Sequence, residues 1–281
     1  MKSRDKVYST VFLTFQIGKI AKLLGMSTEG LRLYERIGIL NPQRDTNSGA
    51  YRTYEHFDFT ALIRARGYHY AGFSSKEIAG LINADDIKEV IGQYGIREHE
   101  LEHEIWKKQM ILQNIRELRD LSAKAERNLW NITVCEQPAM FRFPFMSDAV
   151  FLLHAEQEKT FQQWIANSPM VFISQSNDWE QLLSGKEQIT AALGVFENYV
   201  SALELDLQWA SYHPASRALY TIVLEQGDGF QPLSCLNPLM EYVKKHNIAV
   251  AGNPVSRTFL SLNKRENYTR YREVWLPVSR F

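Results

Sequence analysis

The chain has 281 residues and a formal net charge of zero, with 32 basic and 32 acidic side chains. Its length predicts two domains, since one domain commonly holds roughly 100–200 residues. Two cysteines, Cys135 and Cys235, are too few and too far apart for a disulfide framework, and the absence of a predicted signal peptide or membrane-spanning run indicates a cytoplasmic protein without a membrane partner.

The zero net charge conceals an uneven distribution along the chain. Residues 1–83 carry twelve Lys and Arg against seven Asp and Glu, whereas residues 84–130 and 131–281 have net charges of −2 and −3. We therefore expect a polyanion to bind the N-terminal third, where positive charge would supply sequence-independent affinity.

Residues 16–38 are predicted to form two short helices joined by a turn. Apolar residues recur at helical spacing, Ile17, Ile20, Ala21 and Leu24 in the first helix and Leu31, Tyr34 and Ile37 in the second. Gly25 and Gly38 end the two helices, and Ser27 is a natural N-cap for the second. The outer face of the second helix suits a recognition helix in a DNA major groove. That face carries Thr28, Glu29, Arg32 and Arg36.

A turn-rich segment follows at residues 42–49 and returns through the sequence AYRTY. We interpret it as a β-hairpin wing on which Arg44, Tyr51 and Arg52 reach phosphate oxygens, and Tyr54 fits the same motif. The alternative is a solvated turn with aromatic packing, and a helical hairpin alone also occurs in proteins that do not bind DNA.

A second predicted helical pair follows, in which Ser74 and Glu77 form a capping box. With the segments IGKIAKLLG, LRLYERIGIL and GAYRTY, it resembles the MerR family of transcription regulators over about residues 14–130. The resemblance implies an N-terminal extension at 1–13 and a winged helix-turn-helix domain at 14–84. One departure is Leu33, because many members have two adjacent tyrosines where this chain has Leu33 and Tyr34. The DNA contacts implied are Thr28, Arg32, Tyr34, Arg44, Tyr51, Arg52 and Tyr54.

Residues 85–130 are predicted to form a long polar helix. Its apolar residues lie close to one stripe: Leu101, Ile105, Leu112, Ile115, Leu118, Ala125 and Leu129. The resemblance implies that this is a dimerisation helix, which places two DNA-binding domains of a homodimer on a palindromic operator. The alternative is an amphipathic helix that packs on its own C-terminal domain.

Metal and redox sensing are not predicted. The end of the long helix offers one thiol, Cys135, whereas a soft metal ion needs clustered thiolates or imidazoles. His99 and His103 are one helical turn apart, but they lie on a charged face that we expect to be solvated. We therefore predict no metal site and no cofactor.

Residues 131–281 are predicted to form a separate α+β domain, which makes the chain a multidomain α+β protein. Strands are predicted at 132–145, 170–175, 193–224, 254–262 and 268–278, with helices at 154–167 and 235–246. This order and the ending YREVWLPV resemble the GyrI-like ligand-binding domain of multidrug-sensing MerR regulators.

The C-terminal domain is rich in aromatic residues, most of which we expect in its core. Glu273 lies between Tyr271 and Trp275 in the last strand, and alternation places all three on one face. A carboxylate among aromatic rings suits a lipophilic cation. The predicted ligand site is Glu273, Tyr271, Trp275, Tyr268 and Phe143. The alternative is a surface glutamate paired with Arg270 or Arg272.

The two halves together predict an effector-responsive transcription regulator. The resemblance implies an activator that bends and untwists promoter DNA for RNA polymerase when a small lipophilic, cationic effector binds the C-terminal domain. One alternative is an acid–base hydrolase in the GyrI-like domain, with a Tyr and Glu pair, His154 or His213 as candidates. Another is an architectural DNA-binding protein without an effector. We predict no catalytic residue.

Overall fold

The computed structural model describes residues 15–44, 52–148, 150–186, 188–227, 235–264 and 267–280. The predicted N-terminal extension and Tyr51 lie outside these ranges. The chain divides into two compact units, Met1–Glu104 and Ile105–Phe281. Among the described residues, no helix is both long and apolar enough to cross a membrane.

The N-terminal unit is built from short helices and a small antiparallel sheet. Its elements are β1 Phe15–Gln16, α1 Ile17–Leu24, α2 Thr28–Arg36, β2 Gln43–Arg44, β3 Arg52–Tyr54, α3 His56–Tyr70, α4 Ser75–Ile82 and the start of α5 Ile87–Lys124. The strand order is β1-β3-β2. The predicted helix-turn-helix and the paired stems of the wing are therefore confirmed.

The helices of the N-terminal unit begin and end at the residues that the sequence predicts. Gly25 and Gly38 have positive φ angles of 61° and 78°, which glycine adopts without a Cβ clash. The Ser27 Oγ accepts a hydrogen bond from the Gly30 N–H at 3.0 Å, so α2 has its expected N-cap. The predicted capping box is present as well, since the Ser74 N–H donates to Glu77 Oε2 at 2.7 Å.

The C-terminal unit is an antiparallel sheet with helices packed on it. Its elements are β4 Thr133–Gln137, β5 Met140–Ser147, β6 Val150–Phe151, α6 Glu158–Ile165, β7 Val171–Asn177, α7 Trp179–Leu183, β8 Ile189–Phe196, α8 Glu197–Leu203, β9 Ser211–His213, β10 Ser216–Gln226, α9 Asn237–His246, β11 Ala249–Val250, β12 Val255–Lys264 and β13 Asn267–Arg280. Over the described residues the main strand order is β4-β10-β13-β12-β7-β8-β5-β6. The predicted α+β class is confirmed.

Two helices of this unit were not predicted. The expected strand at 193–224 contains α8, and α7 follows β7 directly. Asp178 caps α7, because its Oδ1 accepts from the Gln181 N–H at 2.9 Å. By contrast, α8 has no side-chain cap among the described residues, and it buries Tyr199, Ala202 and Leu203 in the core.

The long helix α5 has two apolar faces rather than the predicted single stripe. Leu121, Ala125 and the following Leu129 pack into the core of the C-terminal unit, as the amphipathic alternative requires. On another face, Leu101, Ile105, Leu112 and Ile115 remain exposed, by 36% to 56% of their surface. The sequence stripe thus combines a buried seam with a solvent-facing one.

Candidate functional site

The exposed face of α2 carries one carboxylate between two guanidinium groups. Glu29 accepts from Arg32 at 3.2 Å and lies 3.6 Å from Arg36, and the three side chains are 53% to 68% exposed. Thr28 is also exposed at the N-terminal turn of the helix. Exposed ion pairs contribute little to stability, so both arginines are available to an incoming polyanion.

Two of the seven predicted DNA-contacting residues lie in the core instead. Tyr34 is 8% exposed and Tyr54 is fully buried. The Tyr54 hydroxyl donates to Glu35 Oε1 at 2.5 Å, which gives this polar group an internal partner. Burial argues against the phosphate contacts that the resemblance implied for these two tyrosines.

The wing brings two predicted arginines opposite one another. Arg44 on β2 is the direct antiparallel neighbour of Arg52 on β3, and Gln43 is the neighbour of Thr53. The loop between them, including Tyr51, lies outside the described residues. Contacts from Arg44, Tyr51 and Arg52 to DNA stay predictions.

The start of α5 is tied to the turn between α3 and α4. Arg97 Nε donates to the Ala71 carbonyl at 2.8 Å, and Arg97 Nη1 lies 2.8 Å from Glu100 and 3.2 Å from Glu104. The hydroxyl groups of Tyr68 and Tyr94 are 3.0 Å apart. These contacts join α5 to the helices that support the helix-turn-helix.

The C-terminal unit contains an apolar cavity of about 460 Å³, within the usual range of ligand pockets. Its lining consists mainly of aromatic and aliphatic side chains with one charged group: Leu118, Phe145, Phe161, Ile165, Ser168, Pro169, Val171, Phe172, Ile173, Leu193, Arg257, Thr258, Phe259, Leu260 and Ser261. None of the five predicted ligand residues belongs to this lining.

Glu273 is buried, with its carboxylate already partnered. Its Oε1 accepts from the Tyr220 hydroxyl at 3.0 Å, and its Oε2 lies 3.5 Å from Arg257 Nη1. Burial raises the pKa of Glu273, while Arg257 and Tyr220 oppose that shift. Since Arg257 offsets its charge, Glu273 is not a free counter-ion for a ligand cation.

The alternative pairing of Glu273 with Arg270 or Arg272 is wrong. These two arginines approach Glu225, at 3.0 Å and 3.1 Å. The reason is the alternation of β13, which turns residues 270 and 272 away from the face of residue 273. The sequence reasoning missed Arg257, which stands opposite Glu273 across the β12–β13 pair, because strand register is not visible in one sequence.

The other predicted ligand residues are distributed over several places. Phe143 is fully buried and packs edge-on against Trp164 at 5.8 Å between ring centroids. Tyr271 and Trp275 belong to two separate core clusters, and Tyr268 lies beneath the Arg270 guanidinium at 4.9 Å. The structure thus does not bring the five residues together around the cavity.

The histidine candidates for hydrolysis have other surroundings. His213 Nε2 is 3.3 Å from Ser211 Oγ, but the charged group acting on it is the Arg142 guanidinium, not a carboxylate. Burial and Arg142 lower the pKa of His213 to about 4. His154 begins a helical turn, where its N–H donates to Gln157 Oε1 at 2.9 Å. Within the described ranges, no three Cys, His, Asp or Glu side chains cluster as metal ligands would.

The N-terminal geometry defines a class of protein. A capped recognition helix beside a two-strand wing stem is the arrangement of winged helix-turn-helix domains that bind DNA. Residues 15–85 match the family described as MerR HTH family regulatory protein. This segment is therefore similar to the helix-turn-helix domain of MerR-family regulators.

Individual relatives agree over the same segment. The chain is 35% identical over 86 residues to the mercuric resistance operon regulatory protein of Serratia marcescens, covering 31% of this chain and 59% of that protein. It is 39% identical over 70 residues to a probable heavy metal-dependent transcriptional regulator of Haemophilus influenzae, covering 25% of this chain and 54% of that protein. The chain thus spans little more than half the length of these relatives.

A solved structure aligns with nearly the whole chain. It is the cryo-EM structure of an EcmrR–DNA complex in EcmrR-RPo, with 15% identity, a TM-score of 0.36, and coverage of 95% of this chain and 100% of that one. A likeness at this level supports no conclusion about function.

Proposed function

We propose that the protein is a homodimeric, effector-responsive transcription regulator that binds a palindromic promoter and activates RNA polymerase by deforming the DNA. The observation that carries this proposal is the family match of residues 15–85. The exposed Arg32 and Arg36 on a capped α2 support it, since such a helix enters a major groove.

The solvent-facing seam of α5 supports dimer formation. Leu101, Ile105, Leu112 and Ile115 follow spacings of four, seven and three residues, which match the a and d positions of a heptad repeat. Exposed leucines and isoleucines in such a row favour pairing with a second copy of the helix. A dimer would present two recognition helices to two half-sites.

The cavity in the C-terminal unit supports effector binding. Its volume of about 460 Å³ and its aromatic walls suit a lipophilic molecule of moderate size. Leu118 of α5 lines this cavity, while Arg97 of the same helix holds the turn after α3. We infer that α5 transmits the effector signal, provided that the effector binds the two states of the dimer with different affinity.

The test is transcription from a promoter recovered by selecting bound duplexes from a random pool, with purified polymerase and a panel of lipophilic compounds. The proposal expects output to rise with a compound that is recovered unchanged. A hydrolase would consume the compound, and an architectural protein would show neither sequence selection nor a compound effect. Either of these results contradicts the proposal.

The dimer is tested separately by sedimentation. Replacing Ile105 and Ile115 together by Glu should yield a monomer with weakened operator binding, because both charges would fall on the proposed seam. Val150→Glu, at a site that is 63% exposed on β6, is the control and should leave the dimer intact. A wild-type monomer that binds the operator fully would contradict this part.

A further inference from the structure

The charge of the cavity is set by an arginine rather than a carboxylate. Among its described lining residues, Arg257 is the one charged side chain, and the others are apolar or carry hydroxyl groups. Arg257 is 5% exposed. A guanidinium carries its hydrogen-bond donors in a planar fork whose geometry matches a carboxylate.

The strand geometry places Arg257 at this wall. β12 pairs with β7 from Val255 to Arg257, where Arg257 is opposite Ser174. Beyond that point β12 continues without a partner in β7, and its register with β13 shifts between Thr258 and Leu260. A bulge of this kind re-aims side chains locally. The residues around the shift, with the start of β7, line the cavity.

Two donors of Arg257 lack an acceptor among the described residues. Arg257 Nε and Nη2 are buried there without a hydrogen-bond partner, while Arg257 Nη1 donates to Glu273. A buried guanidinium nitrogen without an acceptor is unfavourable, and a carboxylate can accept from two such donors at once.

Two aromatic rings beside Arg257 already contact a cation. The Arg257 guanidinium lies 5.3 Å from the Phe172 ring centroid and 5.1 Å from that of Phe196. A cationic ligand would compete with Arg257 for these rings and would meet its positive charge. Arg257 thus already makes the cation–π contacts with Phe172 and Phe196 that a cationic ligand would otherwise make.

We propose that the cavity binds a lipophilic acid, with the ligand carboxylate on Arg257 and its apolar body against Phe172, Phe161 and Leu193. This inference rests on the proposed effector cavity and specifies its ligand class. A ligand carboxylate on Arg257 would share this guanidinium with Glu273, whose pKa is already raised by burial.

The experiment compares three probes of one shape and different charge: diphenylacetate, diphenylacetamide and diphenylethylammonium. Calorimetry with the full-length protein should show diphenylacetate binding at least tenfold more tightly than the ammonium compound. The double variant Arg257→Met/Glu273→Gln keeps the net charge of the site, and it should lose this preference while binding the amide within about threefold of wild type. Arg217→Met, an exposed change on β10, is the control and should keep the preference.

The outcomes separate this inference from the proposed function. Tighter binding of diphenylethylammonium than of diphenylacetate by wild type would overturn the acid preference and leave an effector cavity in place. A preference for the acid that persists in the double variant would also overturn it, since Arg257 would not be its source. Failure of all three probes to bind, in a protein that still binds its operator, would overturn both the acid site and the effector cavity.

Discussion

The two units of this protein differ in the sequence separation of the residues that interact within them. In the N-terminal unit, the turns are set by neighbours: Ser27 caps its own helix three residues on, and Gly25 and Gly38 end theirs. In the C-terminal unit, the central contacts join distant strands, as Arg257 and Glu273 do across β12 and β13. Local chemistry therefore predicts the helix-turn-helix readily, whereas the apolar cavity depends on sheet register.

The largest expected effect is the loss of stability when a core leucine is truncated in either unit. Leu62 in the N-terminal unit and Leu219 in the C-terminal unit are both fully buried. Leu→Ala at either site should lower the free energy of unfolding of its own unit by about 2–5 kcal/mol, from lost burial and the cavity that remains. Urea unfolding followed by hydrogen exchange assigns the loss to a unit.

Leu23→Ala is the matched control for that pair, because Leu23 is 60% exposed. Its effect should stay within about 0.5 kcal/mol. A loss that spreads equally over both units after Leu62→Ala would show that they do not unfold as separate compact units.

The C-terminal unit should also be sensitive to acid through His213. Its folded pKa is lowered to about 4 from 6.5, so the unfolded chain binds the proton more readily than the folded one. The stability associated with neutral His213 is therefore present above pH 6.5 and is lost as pH falls toward 4. Subtracting the pH profile of His213→Gln from that of wild type should reveal a loss confined to this window, and a flat difference would contradict it.

Loss of a helix cap is expected to be a smaller effect, confined to the N-terminal unit. Ser27→Ala removes the acceptor for the Gly30 N–H and should cost about 1 kcal/mol of stability. Ser75→Ala, at the first residue of α4, removes no such acceptor and serves as the control. Equal losses in thermal or urea unfolding would mean that Ser27 does not act as a cap.

The smallest expected effect concerns the charge on α2. Glu29→Gln would release Arg32 and Arg36 from their shared carboxylate and remove a negative charge from the proposed DNA face. Affinity for random duplex DNA at low salt should rise a few-fold. Glu180→Gln on α7 removes the same charge from the other unit and should leave this affinity unchanged. A fall in affinity for Glu29→Gln would argue against α2 as the DNA-facing helix.

These contrasts explain how much could be predicted from sequence. The helix ends at Gly25 and Gly38 and the capping box of Ser74 and Glu77 were predicted because each depends on residues within a few positions. The alternation of β13 correctly placed Tyr271, Glu273 and Trp275 on one face, which the register with β10 shows.

The remainder depends on tertiary structure. The segment of α8 is predicted as strand, whereas the structure shows a helix that buries Tyr199, Ala202 and Leu203. The partner of Glu273 was misassigned because a single strand does not reveal which neighbour lies across from it. The cavity could not be predicted, since it forms where β12 continues beyond its pairing with β7.

The most direct test of the central claim is the salt dependence of operator binding by wild type and by the Arg44→Ala/Arg52→Ala double variant. Each phosphate contact contributes about 0.9 to the slope of log affinity against log salt, so the double variant should lose a slope of about 1–2. An unchanged slope would show that Arg44 and Arg52 do not contact DNA phosphates. The absence of DNA binding by wild type at low salt would contradict the proposed function as a whole.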